Sequence, residues 1–200
     1  METDSYKTIK TGAKGIYKEK GSKFIAISKH ITSEDEFKLF LDEIKKEFYD
    51  ARHHCYAWRL GLEDDRYRSN DDGEPSGSAG KPILNQILSK KLFNTAVIVV
   101  RYFGGTKLGV SGLIGAYKTS AREALEESIV VKRFVYNTLE LHFKYPRLND
   151  VMRIVKEENI SITEQIFELE CLLRVKIKKN DTERVISRLT LFHEIKIKPL

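Results

Sequence analysis

The chain has 200 residues, and 35 Lys and Arg against 29 Asp and Glu give it a net charge of +6. Its 41% content of hydrophobic residues excludes a mainly disordered chain, and two cysteines, Cys55 and Cys171, are too few for a disulfide-rich secreted scaffold. Residues 1–20 lack the apolar core of a signal peptide, and the longest apolar run, residues 96–100, is too short to span a bilayer. We therefore expect a soluble, cytoplasmic protein with no membrane partner, whose modest positive charge permits a polyanionic partner without requiring one.

The first two thirds of the chain are predicted to mix strands and helices. Residues 23–31 alternate in the manner of a strand, and Ser33 with Glu36 forms a capping box that predicts the start of a helix. Residues 94–103 are nearly all apolar, which predicts a central strand covered on both faces. The other elements predicted up to Ser128 are a strand at 54–60, a long polar loop at 62–81, a short helix from Pro82 and a long helix after Gly109.

The last third follows a different order of elements. It is predicted to contain strands at 137–145, 160–167, 170–178 and 194–198, a helix after Pro146 and a helix capped by Asp181. This order, βαββαβ, is that of a ferredoxin-like domain. We therefore predict an α+β chain with two domains, one of residues 1–134 and a ferredoxin-like one of residues 135–200.

A glycine-rich turn after the apolar strand is the most informative local feature. Gly104, Gly105 and Gly109 allow the backbone to approach a ligand closely, and the helix that follows presents free N–H groups. Arg101 and Lys107 add positive charge, so the turn suits an anion, most simply a phosphate. Neither the Walker motif nor the dinucleotide fingerprint is present, because both the residues after Gly109 and the spacing of the glycines differ. A tight turn that packs a helix against a strand would use the same glycines.

A second glycine-rich loop, residues 71–82, has similar chemistry. It leads into a predicted helix with Lys81 beside it, and Ser76 and Ser78 supply hydroxyl donors. Two such loops in one domain favour an anion site. The same region is rich in acids, which indicates instead a surface for a basic protein partner. These acids are Glu63, Asp64, Asp65, Asp71, Asp72 and Glu74.

Histidine, serine and acidic side chains leave an enzymatic alternative open. A hydrolase acting on a phosphorylated or peptide substrate would draw its nucleophile from Ser76, Ser78, Ser111 or Cys55, its base from His53 or His54 and its orienting acid from Asp72 or Glu74. The nucleophile elbow G-x-S-x-G does not occur. His53 and Cys55 share one face of a predicted strand, but two ligands do not make a zinc site. We therefore expect neither a metal nor a cofactor.

Aromatic residues lie among the bases of two predicted strands. Stacking on bases combined with backbone charge is typical of proteins that bind single-stranded nucleic acid. We expect Trp58 and Phe103 to belong to the core, since large aromatic residues in strands are commonly buried. Arg59 and Arg101 are expected at the surface beside loops, and Tyr102 is a candidate for stacking.

Three blocks of the sequence resemble the IMPACT/YigZ family. They are His-His-Cys-Tyr-Ala-Trp-Arg at 53–59, Asp-Asp-Gly-Glu-Pro-Ser-Gly-Ser-Ala-Gly-Lys-Pro-Ile-Leu at 71–84 and Val-Val-Arg-Tyr-Phe-Gly-Gly-Thr-Lys-Leu-Gly at 99–109. The resemblance covers about residues 18–127, and the rest of the chain resembles the small extra domain of the bacterial members. Ser111 and Gly115 depart from the family pattern, in which a glycine and a basic residue are usual.

The resemblance implies a first domain with the ribosomal-protein fold of domain IV of elongation factor G and a second like its ferredoxin-like domain V. It also implies a link to translation, because eukaryotic relatives regulate translation by binding a ribosome-associated activator of a stress kinase. The leading hypothesis is therefore a translation-associated regulatory protein, not an enzyme, that binds RNA, the ribosome or a protein of the translation machinery. The candidate binding residues are His54, Arg59, Ser76, Ser78, Lys81, Arg101, Tyr102, Gly104, Gly105, Lys107 and Gly109.

Overall fold

The computed structural model describes residues 4–62 and 66–200, which form an α+β structure. The strands are β1 (Ser5–Thr11), β2 (Lys14–Glu19), β3 (Ser22–His30), β4 (His53–Arg59), β5 (Tyr67–Asn70), β6 (Thr95–Tyr102), β7 (Ile129–Phe134), β8 (Tyr136–Lys144), β9 (Ser161–Ile166), β10 (Glu170–Lys178) and β11 (Lys196–Pro199). The helices are α1 (Glu34–Glu47), α2 (Gly80–Ser89), α3 (Gly109–Glu126), α4 (Leu148–Glu157) and α5 (Thr182–Thr190), and 3-10 turns at Tyr145–Arg147 and Lys179–Asp181 lead into α4 and α5. Contacts group these elements into two units, Tyr6–Arg133 and Phe134–Leu200, and residues 4–5 belong to the second.

The main sheet of the first unit has the antiparallel strand order β2–β3–β6–β4–β5. β6 lies at its centre and is buried on both faces, as its apolar composition predicts. Val97 and Val99 pack with the residues of α2 and α3, whereas Ile98 and Val100 pack with those of α1. Because successive strand residues point to opposite faces, every polar residue on β6 is assigned to one of these two layers by its register.

The capping box starts α1 as predicted. The Ser33 hydroxyl accepts a hydrogen bond from the Glu36 amide at 3.1 Å. The Glu36 carboxylate reaches back to the amide of Thr32, one residue before the cap, at 2.6 Å. The first bond satisfies an amide that the first turn of a helix otherwise leaves without a partner, and the second ties the preceding residue to that turn.

The second unit contains the predicted ferredoxin-like arrangement. Its strands follow the order β11–β8–β10–β9, so the first and third strands of the βαββαβ unit are the central neighbours. Residues of α4 and α5 share a core with one face of this sheet, around Leu141, Leu173 and Val185. Asp181 precedes α5, but its carboxylate accepts from Arg184 and makes no cap bond, so the predicted cap at this residue is wrong.

The periodicity of the sequence did not predict four of the strands. β1 and β7 pair with each other, and β2 is an edge of the main sheet. β5 lies within the predicted polar loop, and all four of its residues are exposed. It is nevertheless a strand because its backbone pairs with β4, which a side-chain pattern does not reveal.

Within the described parts of the chain, no helix is both long and apolar enough to span a membrane.

Candidate functional site

The two glycine-rich loops of the first unit meet at a cavity of about 870 Å³. Its walls come from the residues before β4, the loop after β5, the end of β6 and the start of α3. Its charged and histidine side chains are Asp50, Arg52, His53, Glu74, Arg101 and Lys107. Ligand-binding cavities commonly have volumes of about 300–1,000 Å³ and combine apolar walls with a few convergent polar groups. The size and lining of this cavity fit that description.

A buried hydrogen-bond network includes two lining residues of the cavity, Glu74 and Arg101. The Arg101 guanidinium donates to Glu74 Oε1 at 2.6 Å, and the Tyr117 hydroxyl donates to the same oxygen at 2.8 Å. The Glu74 side chain is 3% exposed and that of Arg101 is 9% exposed. Burial raises the pKa of Tyr117, so its hydroxyl stays protonated and serves as the donor. Arg101 therefore lies in the core and not at the surface, contrary to the prediction from its position beside a loop.

The register of the sheet brings His53 beside Arg101. These two residues are paired directly between β4 and β6, and Phe24 is paired with Arg101 from the other side, on β3. Directly paired residues project to the same face of a sheet, here the face packed against α3. His53 Nδ1 lies 2.7 Å from the carbonyl oxygen of Asp72. Because a carbonyl can only accept, Nδ1 carries a proton and donates it to the Asp72 carbonyl.

The two helices that begin beside the cavity differ in how their first amides are satisfied. At α2, Asp71 Oδ1 accepts from the amides of Ala79 and Gly80 at 3.0 and 2.8 Å, and its other oxygen accepts from Gly77 at 2.8 Å. The loop of residues 71–82 therefore holds its own anion at the helix end.

At α3, no described side chain takes the place that Asp71 has at α2. No side chain of the described residues caps α3, and its first turn contains no acid. Gly109 begins this helix with a φ of +74°, a left-handed conformation that a side chain disfavours. The start of α3 therefore presents its N–H groups and positive dipole end to the cavity, which Leu108, Gly109 and Val110 line.

Close backbone packing accounts for Gly104. A Cβ atom at this position would lie 1.8 Å from the carbonyl carbon of Gly21 in the β2–β3 turn. The Gly104 amide donates to the Ser22 hydroxyl at 3.1 Å. Gly104 and Gly105 do not line the cavity, so of the glycines predicted to hold an anion only Gly109 does.

The outer part of the cavity combines cations with exposed aromatic surface. Arg52 and Lys107 are exposed, and Phe103, which was expected in the core, is 57% exposed. The reason is that β6 ends at Tyr102, so Phe103 has no neighbouring strand to cover it. The Tyr102 hydroxyl donates to Asp50 Oδ1 at 2.6 Å, and this hydrogen bond is the main cause that raises the pKa of Tyr102 to about 12.

Several predicted binding residues lie away from the cavity. His54 is buried on the α1 face, where its ring Nε2 lies 3.1 Å from the Phe48 carbonyl. Arg59 is buried too, and its guanidinium stacks 3.6 Å from the centre of the Phe93 ring, so the expectation of a surface position is wrong. Trp58 is buried as predicted. The remaining residues outside the lining are Ser76, Ser78 and Lys81, of which Ser78 is fully buried.

The hydrolase alternative needs a serine in contact with a histidine. The Ser78 hydroxyl donates to the Pro75 carbonyl at 2.6 Å, and within residues 4–62 and 66–200 no serine hydroxyl bonds a histidine ring. Cys55 is fully buried, and burial raises the pKa of its thiol, which disfavours the nucleophilic thiolate. The part of the chain that the structure describes contains no group of three or more His, Cys, Asp or Glu placed to hold a metal ion.

The acidic loop is only partly described. Glu63, Asp64 and Asp65 lie outside the described residues. Asp71 satisfies three backbone amides, and Asp72 Oδ2 accepts from the His54 amide at 2.6 Å. The two described aspartates of this loop therefore organise its backbone.

Sequence reasoning did not select Arg52 or Asp50 as site residues. Both precede β4 and carry no motif of their own. Their position beside the block at 53–59 that resembles the family is the one local signal that pointed to them, since residues next to a strand end often share its loop. Tyr102, which bonds Asp50, and the start of α3, which lines the same cavity as Arg52, are about 50 residues or more away in sequence, and only folding brings them together.

Comparison with known proteins identifies the family. Residues 20–125 match the family model described as the Impact N-terminal domain, which is more than half of the chain. The chain belongs to the IMPACT family. IMPACT family member YvyE of Bacillus subtilis is 38% identical over 161 residues, which cover 80% of this chain and 74% of YvyE.

Two further relatives extend the likeness over both units. IMPACT family member YigZ of Escherichia coli is 34% identical over 158 residues, or 78% of each protein. A solved structure titled as that of a hypothetical protein is 28% identical, covers 99% of this chain and 98% of its own, and has a TM-score of 0.74. The IMPACT family resemblance and the α+β fold that the sequence predicted are therefore confirmed.

Proposed function

We propose that this IMPACT family protein is a translation-associated regulatory protein that binds single-stranded RNA at the cavity of its first unit. The link to translation rests on family membership and on what the resemblance implies for eukaryotic relatives. The site rests on one observation: the uncapped start of α3, three cationic side chains and an exposed aromatic ring surround the same cavity.

The chemistry of the rim suits a nucleotide. Arg52 and Lys107 are exposed cations that can contact phosphates, and Phe103, which is 57% exposed, offers a ring on which a base can stack. Base stacking on an aromatic side chain contributes about 1–3 kcal/mol per base and tolerates any sequence. We therefore expect binding with strong salt dependence and weak sequence preference.

The test is a filter-binding titration of a short labelled single-stranded RNA at two salt concentrations. Arg52→Glu combined with Lys107→Glu should weaken binding by at least about tenfold and reduce the salt slope by about two. The matched control is Lys118→Glu combined with Arg122→Glu, which makes the same charge change at exposed residues of α3 that do not line the cavity.

The control pair should bind nearly as well as the unchanged protein. Equal losses in the two double variants would indicate a diffuse electrostatic attraction and contradict a site at the cavity. Failure of the unchanged protein to bind RNA at low salt would contradict the proposal outright. If the protein binds no RNA but co-sediments with ribosomes, the result would favour a protein partner on the ribosome.

A further inference from the structure

Resting on the proposed function, we propose that the cavity recognises the terminal phosphate monoester of an RNA, with the phosphate at the start of α3. Helix starts attract anions in general, so the inference needs more than the helix. The second observation concerns Arg101. Its side chain is 91% buried and lines the cavity, yet its Nε atom has no hydrogen-bond partner among the described residues. Buried polar atoms without partners are rare and call for an explanation.

The difference between the starts of α2 and α3 indicates where the phosphate binds. Both helices begin at the glycine-rich loops, but among the described residues a carboxylate, that of Asp71, accepts from the first amides of α2 alone. In the described chain the start of α3 has no capping side chain, and Lys107 lies directly before it. An anion from outside the chain would accept hydrogen bonds from the first amides of α3, as the Asp71 carboxylate does from those of α2.

The charge of the cavity fits a phosphate monoester. Arg52, Arg101 and Lys107 against Asp50 and Glu74 leave one net positive charge on the described lining side chains. The helix start adds about half a charge. A phosphate monoester carries about −1.5 to −2 at neutral pH, whereas an internal phosphodiester carries a single negative charge. The monoester is the closer match.

The experiment compares RNAs of one sequence that carry a 5′ phosphate, a 3′ phosphate or hydroxyls at both ends. At least one phosphorylated RNA should bind at least about tenfold more tightly than the RNA with hydroxyls at both ends. Comparison of the 5′-phosphorylated and 3′-phosphorylated RNAs identifies which end is recognised. AMP should compete, whereas adenosine should not. Equal affinities of the three RNAs, without competition by AMP, would overturn the inference while leaving RNA binding in place.

Ser111→Asp is the decisive variant. Ser111 is exposed in the first turn of α3, where an aspartate stabilises a helix, so the variant should fold at least as well as the unchanged protein. Its carboxylate should nevertheless repel the phosphate and abolish the preference for phosphorylated RNA. Ser111→Asn is the neutral control of similar size and should retain that preference. Preserved preference in Ser111→Asp would place the phosphate elsewhere and overturn the assignment.

AMP also separates this inference from the proposed function. Direct calorimetric binding of AMP that Ser111→Asp removes, in a protein that binds no RNA, would support the phosphate site and reject the RNA function. Absence of both AMP binding and a terminal-phosphate preference would reject the inference itself.

Discussion

Arg101 and Glu74, 27 residues apart in sequence, form a buried ion pair with an Nη1–Oε1 distance of 2.6 Å in the wall of the cavity. The pair joins β6 to the loop that follows β5, and Tyr117 of α3 bonds to the same carboxylate oxygen. One carboxylate thus connects three segments of the cavity wall. Each partner of such a pair is costly to leave alone, because burial removes the water that would otherwise solvate its charge.

Removing the cation should therefore destabilise the protein strongly. We expect Arg101→Met to lower the free energy of unfolding by about 3–5 kcal/mol, because Glu74 is then buried without a cation. Urea-induced unfolding measures the change. Adding Glu74→Gln to the same chain should recover part of the loss, since the uncompensated charge is then gone.

The control for this prediction is an exposed pair. Lys38 and Asp35 are 2.8 Å apart with side chains 70% and 86% exposed, so Lys38→Met should cost at most about 1 kcal/mol. A loss of similar size in Lys38→Met and Arg101→Met would show that burial of the Arg101–Glu74 pair has no special energetic weight.

Gly104→Ala should destabilise the first unit through a steric clash. The added methyl group would lie within 2.3 Å of backbone atoms of both Gly21 and Ser22, so the β2–β3 turn or the end of β6 must shift. We expect a loss of about 1–3 kcal/mol or more in the free energy of unfolding. An unchanged urea midpoint would contradict the close backbone contact.

Gly115→Ala should have the opposite effect. Gly115 lies in the interior of α3, is exposed, and an added Cβ would meet no atom of the described structure within 4 Å. Glycine within a helix costs about 0.5–1 kcal/mol relative to alanine, so the variant should be more stable by that amount. Thermal unfolding of Gly115→Ala and Gly104→Ala in parallel checks that the first variant gains stability and the second loses it.

Acid should destabilise the native state through His54. Burial is the main cause that lowers the pKa of this histidine below its ordinary value of 6.5. The unfolded chain therefore binds a proton at a higher pH than the native state does. Stability is fully present above pH 6.5 and falls as the pH is lowered below that value.

Chemical unfolding measured at several pH values between about 7 and 5 tests this dependence. His54→Gln should flatten the curve, although burial also lowers the pKa of His30 and leaves a residual slope. An equally steep fall in His54→Gln would assign the effect to other groups.

Local signals predicted many of the elements. The capping box at Ser33, the apolar run that became β6 and the βαββαβ order of the last third depend on residues near one another in the chain, and each was predicted correctly. β5 was not, because its four exposed residues form a strand only through backbone pairing with β4. A strand whose side chains are all exposed has no alternation of buried and exposed positions for a sequence pattern to show.

The sequence by itself determined the family, the α+β class and the two glycine-rich loops with bases beside them. Tertiary structure alone decided that both loops reach one cavity, that Asp71 occupies the start of α2 while no described side chain caps the start of α3, and that Arg101 is buried against Glu74. The physical reason is that hydrogen bonds and ion pairs are chosen among groups that folding brings together. Two loops with the same residue types therefore acquire different chemistry from partners that lie far away in the chain.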